Sequence, residues 1–123
     1  MAWNFSSDRP VYLQIAERII RSVLSGEYAA GEQLPTVRQL ALEAAVNPNT
    51  IQHAFSELEH KGVIVSKGTS GRFVTEDEPT VEQCRKQMAE QLVREFVENI
   101  KHLSISTEEA ISMIKLTGVE PLT

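Results

Sequence analysis

A group of small, neutral hydrogen-bonding side chains is concentrated between residues 49 and 56. Its members are Asn49, Thr50, Gln52, His53 and Ser56. Side chains of these types can donate hydrogen bonds to, and accept them from, the base edges that DNA presents in its major groove. A helix that only faces solvent would more often carry glutamate and lysine here. We therefore interpret this group as a candidate nucleic-acid contact. The alternative is a capped helix start that binds no ligand.

Two predicted helices joined by a tight turn position this polar group. The first is expected to begin after Thr36, because Thr36 and Gln39 have the spacing of a capping box. The second is expected to begin at Pro48, behind the N-cap Asn47, and to end at Gly62. Apolar residues recur in steps of three and four in both segments: Val37, Leu40, Ala41, Ala44, Ile51, Ala54, Phe55 and Leu58. The pattern predicts a helix-turn-helix whose second helix turns its polar side outward.

A further helix is predicted before this pair, and a β-hairpin after it. Pro10 opens an amphipathic segment that ends near Gly26, and the loop over residues 27–34 could form a short edge strand. The β-branched run 63–65 and the segment 72–75 predict two strands joined by a glycine-containing turn. Three helices followed by a hairpin is the order of a winged helix-turn-helix, so we expect a mainly α fold with a small β-hairpin.

The turn of this hairpin is a second candidate contact. In a winged helix the hairpin tip lies beside the DNA backbone, where it can contact phosphate or reach the minor groove. The residues concerned are Lys67, Gly68, Thr69, Gly71 and Arg72. The alternative is an ordinary glycine-rich hairpin loop without a ligand.

A break in the pattern at residues 76–79 divides the chain. We expect a winged helix-turn-helix DNA-binding domain over residues 1–76 and a helical dimerisation tail over residues 79–123. Thr80, with a glutamine three residues on, has the spacing of a capping box. It therefore predicts the start of a long helix that runs to about His102.

A shorter helix is predicted to follow, opened by Ser106 with a glutamate three residues on and ending before Gly118. Two helices of this size cannot bury both of their apolar faces on each other. A two-fold dimer would pair the same face from each chain. The residues expected in its interface are Met88, Leu92, Phe96, Ile100, Ile111 and Ile114. The alternative is that this face packs on the winged helix of the same chain.

The formal net charge of −5 over 123 residues is unevenly distributed. Residues 1–75 carry seven basic and seven acidic side chains, whereas residues 76–123 carry five basic and ten acidic ones. The first part could therefore still present a basic face to DNA. No apolar run is long enough for a membrane span and no secretory signal is present, so a cytoplasmic protein is expected.

Other classes of protein have weaker support. No glycine-rich phosphate loop or Ser-His-Asp set occurs, and no cofactor is expected. His53, Glu57 and His60 are spaced to share one helix side and could in principle hold a metal, but we expect neither a metal site nor an enzyme. The alternative function is that of a winged helix that only binds another protein, which is consistent with the negative net charge. Trp3 and Phe5 could pack on this domain or on a partner subunit.

Two sequence blocks and the hairpin behind them resemble a known family. LPTVRQLA at residues 34–41 and VNPNTIQHAFSELEHKG at residues 46–62 are similar to the N-terminal domain of GntR-type bacterial transcription regulators. The short tail of about two helices resembles the YtrA-like subfamily, which also carries the Asn-Pro-Asn-Thr turn. The resemblance is strong over roughly the first 60% of the chain and limited to length and helix pattern in the tail.

The resemblance implies a dimeric repressor of an operon, often one related to transporters, that binds an inverted-repeat operator in double-stranded DNA. It implies DNA contacts by Arg38, Asn47, Pro48, Asn49, Thr50, Gln52 and Gly68. Better-known members often carry arginine where this chain has Pro48 and Gln52. An effector is not identifiable, because a helical tail of this size has little room for the apolar pocket that a small ligand usually needs.

Overall fold

In a computed structural model the chain forms five α-helices, one short 3-10 helix in the hairpin turn (Gly68–Ser70) and one two-stranded antiparallel sheet over the residues that the structure describes, 3–117. The elements are α1 (Val11–Leu24), α2 (Val37–Ala44), α3 (Pro48–His60), β1 (Ile64–Ser66), β2 (Arg72–Val74), α4 (Glu78–Lys101) and α5 (Thr107–Leu116). This order confirms the predicted fold class of a mainly α winged helix-turn-helix with a small hairpin.

The first compact unit of the chain extends to Arg85, and the second begins at Lys86, within α4. In the first unit α1 and α2 both pack on α3, and the core lies where these three helices meet. Ile15, Ile51, Phe55 and Leu58 are almost completely buried there, as the apolar spacing predicted. Burial of such side chains is the main source of stability in a unit of this size.

Local capping determines where α2 and α3 begin. The amide of Gln39 donates to Thr36 Oγ1 over 3.1 Å, and the amide of Thr36 donates to Gln39 Oε1 over 2.8 Å, so the predicted capping box is present. Asn47 Oδ1 accepts from the amide of Asn49 over 2.8 Å, with Pro48 in the first position of α3. Ala45 adopts a left-handed conformation and turns the chain between the two helices.

The hairpin carries an edge segment beside β2. β1 and β2 pair in antiparallel register with Val65 opposite Phe73. The amide of Leu34 donates to the Arg72 carbonyl over 2.8 Å, and the amide of Val74 donates to the Glu32 carbonyl over 2.9 Å. The loop before α2 therefore forms the expected edge of the wing.

The start of α4 differs from the sequence prediction. The helix begins at Glu78, two residues before Thr80, and Thr80 is not its N-cap. The Thr80 hydroxyl instead donates to the carboxylate of Asp77, while the Thr80 amide donates to the Asp77 carbonyl over 3.1 Å. Pro79 is compatible with this earlier start, because the first turn of a helix does not need its N–H.

The start of α5 agrees with the prediction. Ser106 Oγ accepts from the amide of Glu109 over 3.1 Å, and the helix begins at Thr107. Gly118, expected to follow this helix, lies outside the described residues. Within residues 3–117, no helix combines the length and the hydropathy that crossing a bilayer requires.

The leader before α1 packs on its own domain. The guanidinium of Arg18 lies 4.2 Å from the centre of the Trp3 ring, and the Trp3 and Phe5 rings are 6.2 Å apart. The amide of Ser6 donates to Gln14 Oε1, and Gln14 Nε2 donates to the Ser6 carbonyl, each over 2.9 Å. Of the two placements considered for Trp3 and Phe5, the structure shows the intrachain one.

Candidate nucleic-acid interface

The first half of α3 presents an uninterrupted polar surface. Asn49, Gln52, His53 and Ser56 are exposed, as are Asn47 and Pro48 at the helix start, whereas Thr50 is half-buried. We call the four exposed residues Asn49, Gln52, His53 and Ser56 the α3 polar face. Because the apolar side of α3 is buried in the core, this face lies on the opposite, solvent-exposed side of the helix. It can therefore offer hydrogen-bond donors and acceptors to an external partner.

Tyr12 of α1 contacts this face, which sequence reasoning did not foresee. Its ring stacks on the imidazole of His53 with centroids 3.5 Å apart and planes only 6° from parallel. The sequence pattern assigned Tyr12 to the apolar stripe of α1, but the structure leaves it half-buried. Its polar hydroxyl was the one available signal, since such amphipathic rings often lie at the margin of a core.

The wing presents a second polar surface of the same unit. Lys67, Gly68 and Thr69 are exposed at the hairpin turn. Lys67 Nζ lies 4.7 Å from the centre of the Phe73 ring. Gly71 has a φ of +113°, a backbone conformation that other residues rarely adopt, so the turn favours glycine at this position.

Arg72 joins the wing to the α3 polar face. Its Nη2 donates to Gln52 Oε1 over 3.3 Å and lies 3.7 Å from Glu59 Oε1. The guanidinium carbon is 5.1 Å from the centre of the Phe55 ring. The structure thus brings together Arg72 and Gln52, two residues that the sequence assigned to separate surfaces.

Arg38 lies in the first turn of α2 and is exposed. Over residues 3–117 its guanidinium forms no hydrogen bond or ion pair. Its positive charge is therefore available to an anionic partner, and the fork of a guanidinium matches a phosphate group in geometry.

In the part of the chain that the structure describes, the candidate metal ligands do not form a site, and the cysteine Cys84 is not activated. In the described part of the chain, no three His, Cys, Asp or Glu residues lie close enough together to hold a metal ion, including the His53, Glu57 and His60 set. Cys84 is half-buried, and burial raises the pKa of its thiol despite the opposing charge of Lys61. A raised pKa leaves less of the reactive thiolate at neutral pH.

The second unit exposes apolar side chains on both of its helices. The exposed fractions are 46% for Leu92, 43% for Phe96, 46% for Ile111 and 47% for Ile114. Met88 and Ile100 are half-buried, and α4 contains no buried residue. We call these six residues the tail apolar face. Its side chains are available for a contact with another chain.

Fold and surface together define the class: a winged helix-turn-helix protein that presents a polar helix and a glycine-containing wing. Comparison with protein families matches residues 11–74 to "Bacterial regulatory proteins, gntR family". The chain belongs to the GntR family of DNA-binding transcription regulators, and it is not an enzyme.

Individual relatives extend the similarity into the tail. The HTH-type transcriptional regulator YhcF of Bacillus subtilis is 35% identical over 91% of this chain and 93% of its own. The HTH-type transcriptional repressor YtrA of the same organism is 28% identical over 89% of this chain and 85% of its own. A GntR family regulator from Listeria monocytogenes has a similar structure, with a TM-score of 0.83 and 37% identity over 94% of this chain and all of the other.

Proposed function

We propose that this regulator is a dimeric repressor that occupies an inverted-repeat operator in an operon. The observation that carries the proposal is the α3 polar face, which is exposed at the N-terminal half of a helix whose other side is buried. In a helix-turn-helix this is the part of the second helix that contacts base edges in the major groove. The similarity to a protein named as a repressor supports the direction of regulation.

The charges around this face fit a phosphate backbone. Arg38 and Lys67 are both exposed and belong to elements that flank α3 in the same unit. Contacts of this kind position a protein on the duplex, whereas the uncharged residues of the α3 polar face provide sequence discrimination. DNA binding also implies a cytoplasmic location, and a transport-related operon remains the expected target.

Dimerisation would be provided by the tail apolar face. Large exposed apolar patches on a regulator indicate a protein contact, and a two-fold axis buries the same patch from both chains. Two copies of α3 would then meet successive major grooves about one helical turn apart, which requires an operator with inverted half-sites.

The proposal is tested by fluorescence anisotropy with DNA from upstream of the protein's own gene. We expect saturable binding at moderate salt that is at least about a thousandfold tighter than binding to scrambled DNA of the same length. Equal affinity for the two DNAs would contradict the proposal and favour a protein-interaction module. Protection mapping on the same fragment should show two symmetric half-sites.

A pair of matched variants tests whether α3 provides the discrimination between DNA sequences. Asn49→Ala removes one amide from the α3 polar face and should reduce the preference for the operator, by about 1–3 kcal/mol if it contacts a base in bidentate fashion. Asn99→Ala removes the same group from an exposed position in α4 and should leave DNA binding unchanged. Equal effects of the two substitutions would contradict the assignment.

A further inference from the structure

The Arg72–Gln52 contact fixes which way the Gln52 amide faces. A guanidinium carries only hydrogen-bond donors, so the atom of Gln52 that meets Arg72 Nη2 at 3.3 Å must be the amide oxygen. One of the two lone pairs of Oε1 is therefore already used inside the protein. The amide nitrogen keeps both of its hydrogens for an external partner, because Gln52 is exposed.

Besides Gln52, two further side chains restrain the position of Arg72. The ion pair with Glu59 over 3.7 Å holds Nη2 from one direction, and the Phe55 ring lies 5.1 Å from the guanidinium carbon. The side chain of Arg72 is only 26% exposed. Its Nε is buried without a hydrogen-bond partner in the described part of the chain, so the guanidinium is oriented through Nη2. Arg72 is thus a fixed donor beside Gln52, on a strand that is itself paired.

This arrangement biases the base that Gln52 can contact. A free glutamine binds adenine in bidentate fashion, using its oxygen for the N6 amino group and its nitrogen for N7. In this chain the oxygen lies next to a positive charge, which disfavours the approach of a second donor such as the adenine amino group. Guanine presents only acceptors on the same groove edge, N7 and O6. These acceptors match both the free amide hydrogens and the adjacent guanidinium charge.

We propose that Arg72 is a positioning residue that sets base specificity by orienting the Gln52 amide, so that α3 selects guanine over adenine at one base pair of each half-site. The inference rests on the proposed function, because it needs an operator. It differs from a phosphate contact by Arg72, which would strengthen binding to all sequences alike and would carry no base preference.

The first test measures base preference with the full chain. The relevant base pair is the one at which the Gln52→Leu protein no longer discriminates between bases. Four operators, one for each base at that pair, are then compared for their affinity to the wild-type and Arg72→Met proteins. We expect the wild type to prefer guanine over adenine by about tenfold, and Arg72→Met to lose most of that preference. Arg72→Lys, which keeps a charged donor without an acceptor, should retain it. In the Gln52→Leu background, Arg72→Met should have no further effect on base preference.

A second test needs no protein variant and holds even if Arg72→Met fails to fold. Replacing the guanine by 7-deazaguanine removes the N7 acceptor and should weaken wild-type binding by several-fold. Inosine at the same position lacks only the minor-groove amino group and should bind as guanine does. A wild-type preference for adenine, or equal binding of guanine and 7-deazaguanine, would overturn the inference.

The outcomes also separate this inference from the proposed function. The Arg72→Met protein could bind the operator specifically and keep the wild-type base preference at the Gln52 base pair. That result would overturn the role of Arg72 and leave the repressor proposal standing. A uniform loss of affinity across all four operators would mark Arg72 as a phosphate contact and likewise overturn its role. Absence of any sequence preference in the wild type would overturn both.

Discussion

Tyr12 and Arg72 restrain the α3 polar face from neighbouring elements. Tyr12 stacks on His53 from α1, and Arg72 donates to Gln52 from the wing. Each contact limits the rotamers of an otherwise exposed side chain in the free protein. Because ordering such side chains on binding has an entropic cost, a face held in this way binds with a smaller penalty.

Replacing Arg38 by alanine should weaken operator binding, because the exposed guanidinium of Arg38 has no partner within the described chain. If Arg38 contacts phosphate, the slope of log affinity against log salt should fall by about one, and all sequences should be affected alike. Anisotropy titrations at several salt concentrations measure both quantities. Lys86→Ala, which removes an exposed positive charge from α4, is the control and should change neither. An Arg38→Ala protein with wild-type affinity would show that Arg38 does not contact DNA.

The Tyr12–His53 stack should be measurable as a coupling energy. Tyr12→Leu, His53→Ala and the double variant form a cycle in which urea unfolding gives the free energy of each protein. We expect a coupling of about 0.5–1.5 kcal/mol, the range measured for aromatic pairs. A parallel cycle between Tyr12 and the exposed His60 should give no coupling. Coupling near zero in the first cycle would mean that the two rings are independent in solution.

At the scale of elements, α2 is the shortest α-helix in residues 3–117, and it begins at a capping box. It has only eight residues, too few to be stable as an isolated helix. Its start is fixed by the reciprocal hydrogen bonds of Thr36 and Gln39, and its packing on α3 holds the polar face in place. Stability of the helix pair is therefore expected to respond to a single hydroxyl.

Thr36→Ala should lower the free energy of unfolding by about 1 kcal/mol, because it leaves the Gln39 amide without its acceptor. Urea denaturation followed by far-ultraviolet circular dichroism measures the change. Thr69→Ala removes the same hydroxyl from the exposed wing turn and should stay within about 0.5 kcal/mol of the wild type. An equally small effect of Thr36→Ala would show that packing alone determines the start of α2.

For the whole molecule, the proposed dimer depends on the tail apolar face. Phe96 and Leu92 are exposed in the second half of α4, and Ile111 and Ile114 are exposed on α5. A charge introduced into a buried apolar interface is costly, since its desolvation has no compensating partner. The proposed dimer is therefore open to disruption by one substitution.

Phe96→Asp should convert the protein from dimer to monomer at micromolar concentration, as measured by sedimentation velocity. Loss of the dimer should also lower the affinity for the full operator, while the affinity for a single half-site should change little. Leu42→Asp is the control, because Leu42 is 78% exposed on α2, outside the tail, and should leave the oligomeric state unchanged. A wild-type protein that sediments as a monomer at these concentrations would contradict the dimer proposal.

The sequence by itself determined the helix-turn-helix, the hairpin and the composition of the α3 polar face. Caps such as Thr36 with Gln39 join residues three positions apart, and apolar spacing such as Ile51, Phe55 and Leu58 has steps of three or four positions. Local patterns of this kind are visible in the chain before it folds. The same local logic was wrong at Thr80, where Asp77 and Pro79 allowed α4 to begin two residues earlier.

Only the tertiary structure decided which side chains meet. Arg72 lies 20 residues from Gln52 in sequence, and Tyr12 lies on a different helix from His53. Their contacts depend on how α1 and the wing pack against α3, and no periodicity or motif in the sequence specifies that packing. The composition of the polar face is thus a property of one helix, whereas the orientation of its side chains depends on the elements packed around that helix.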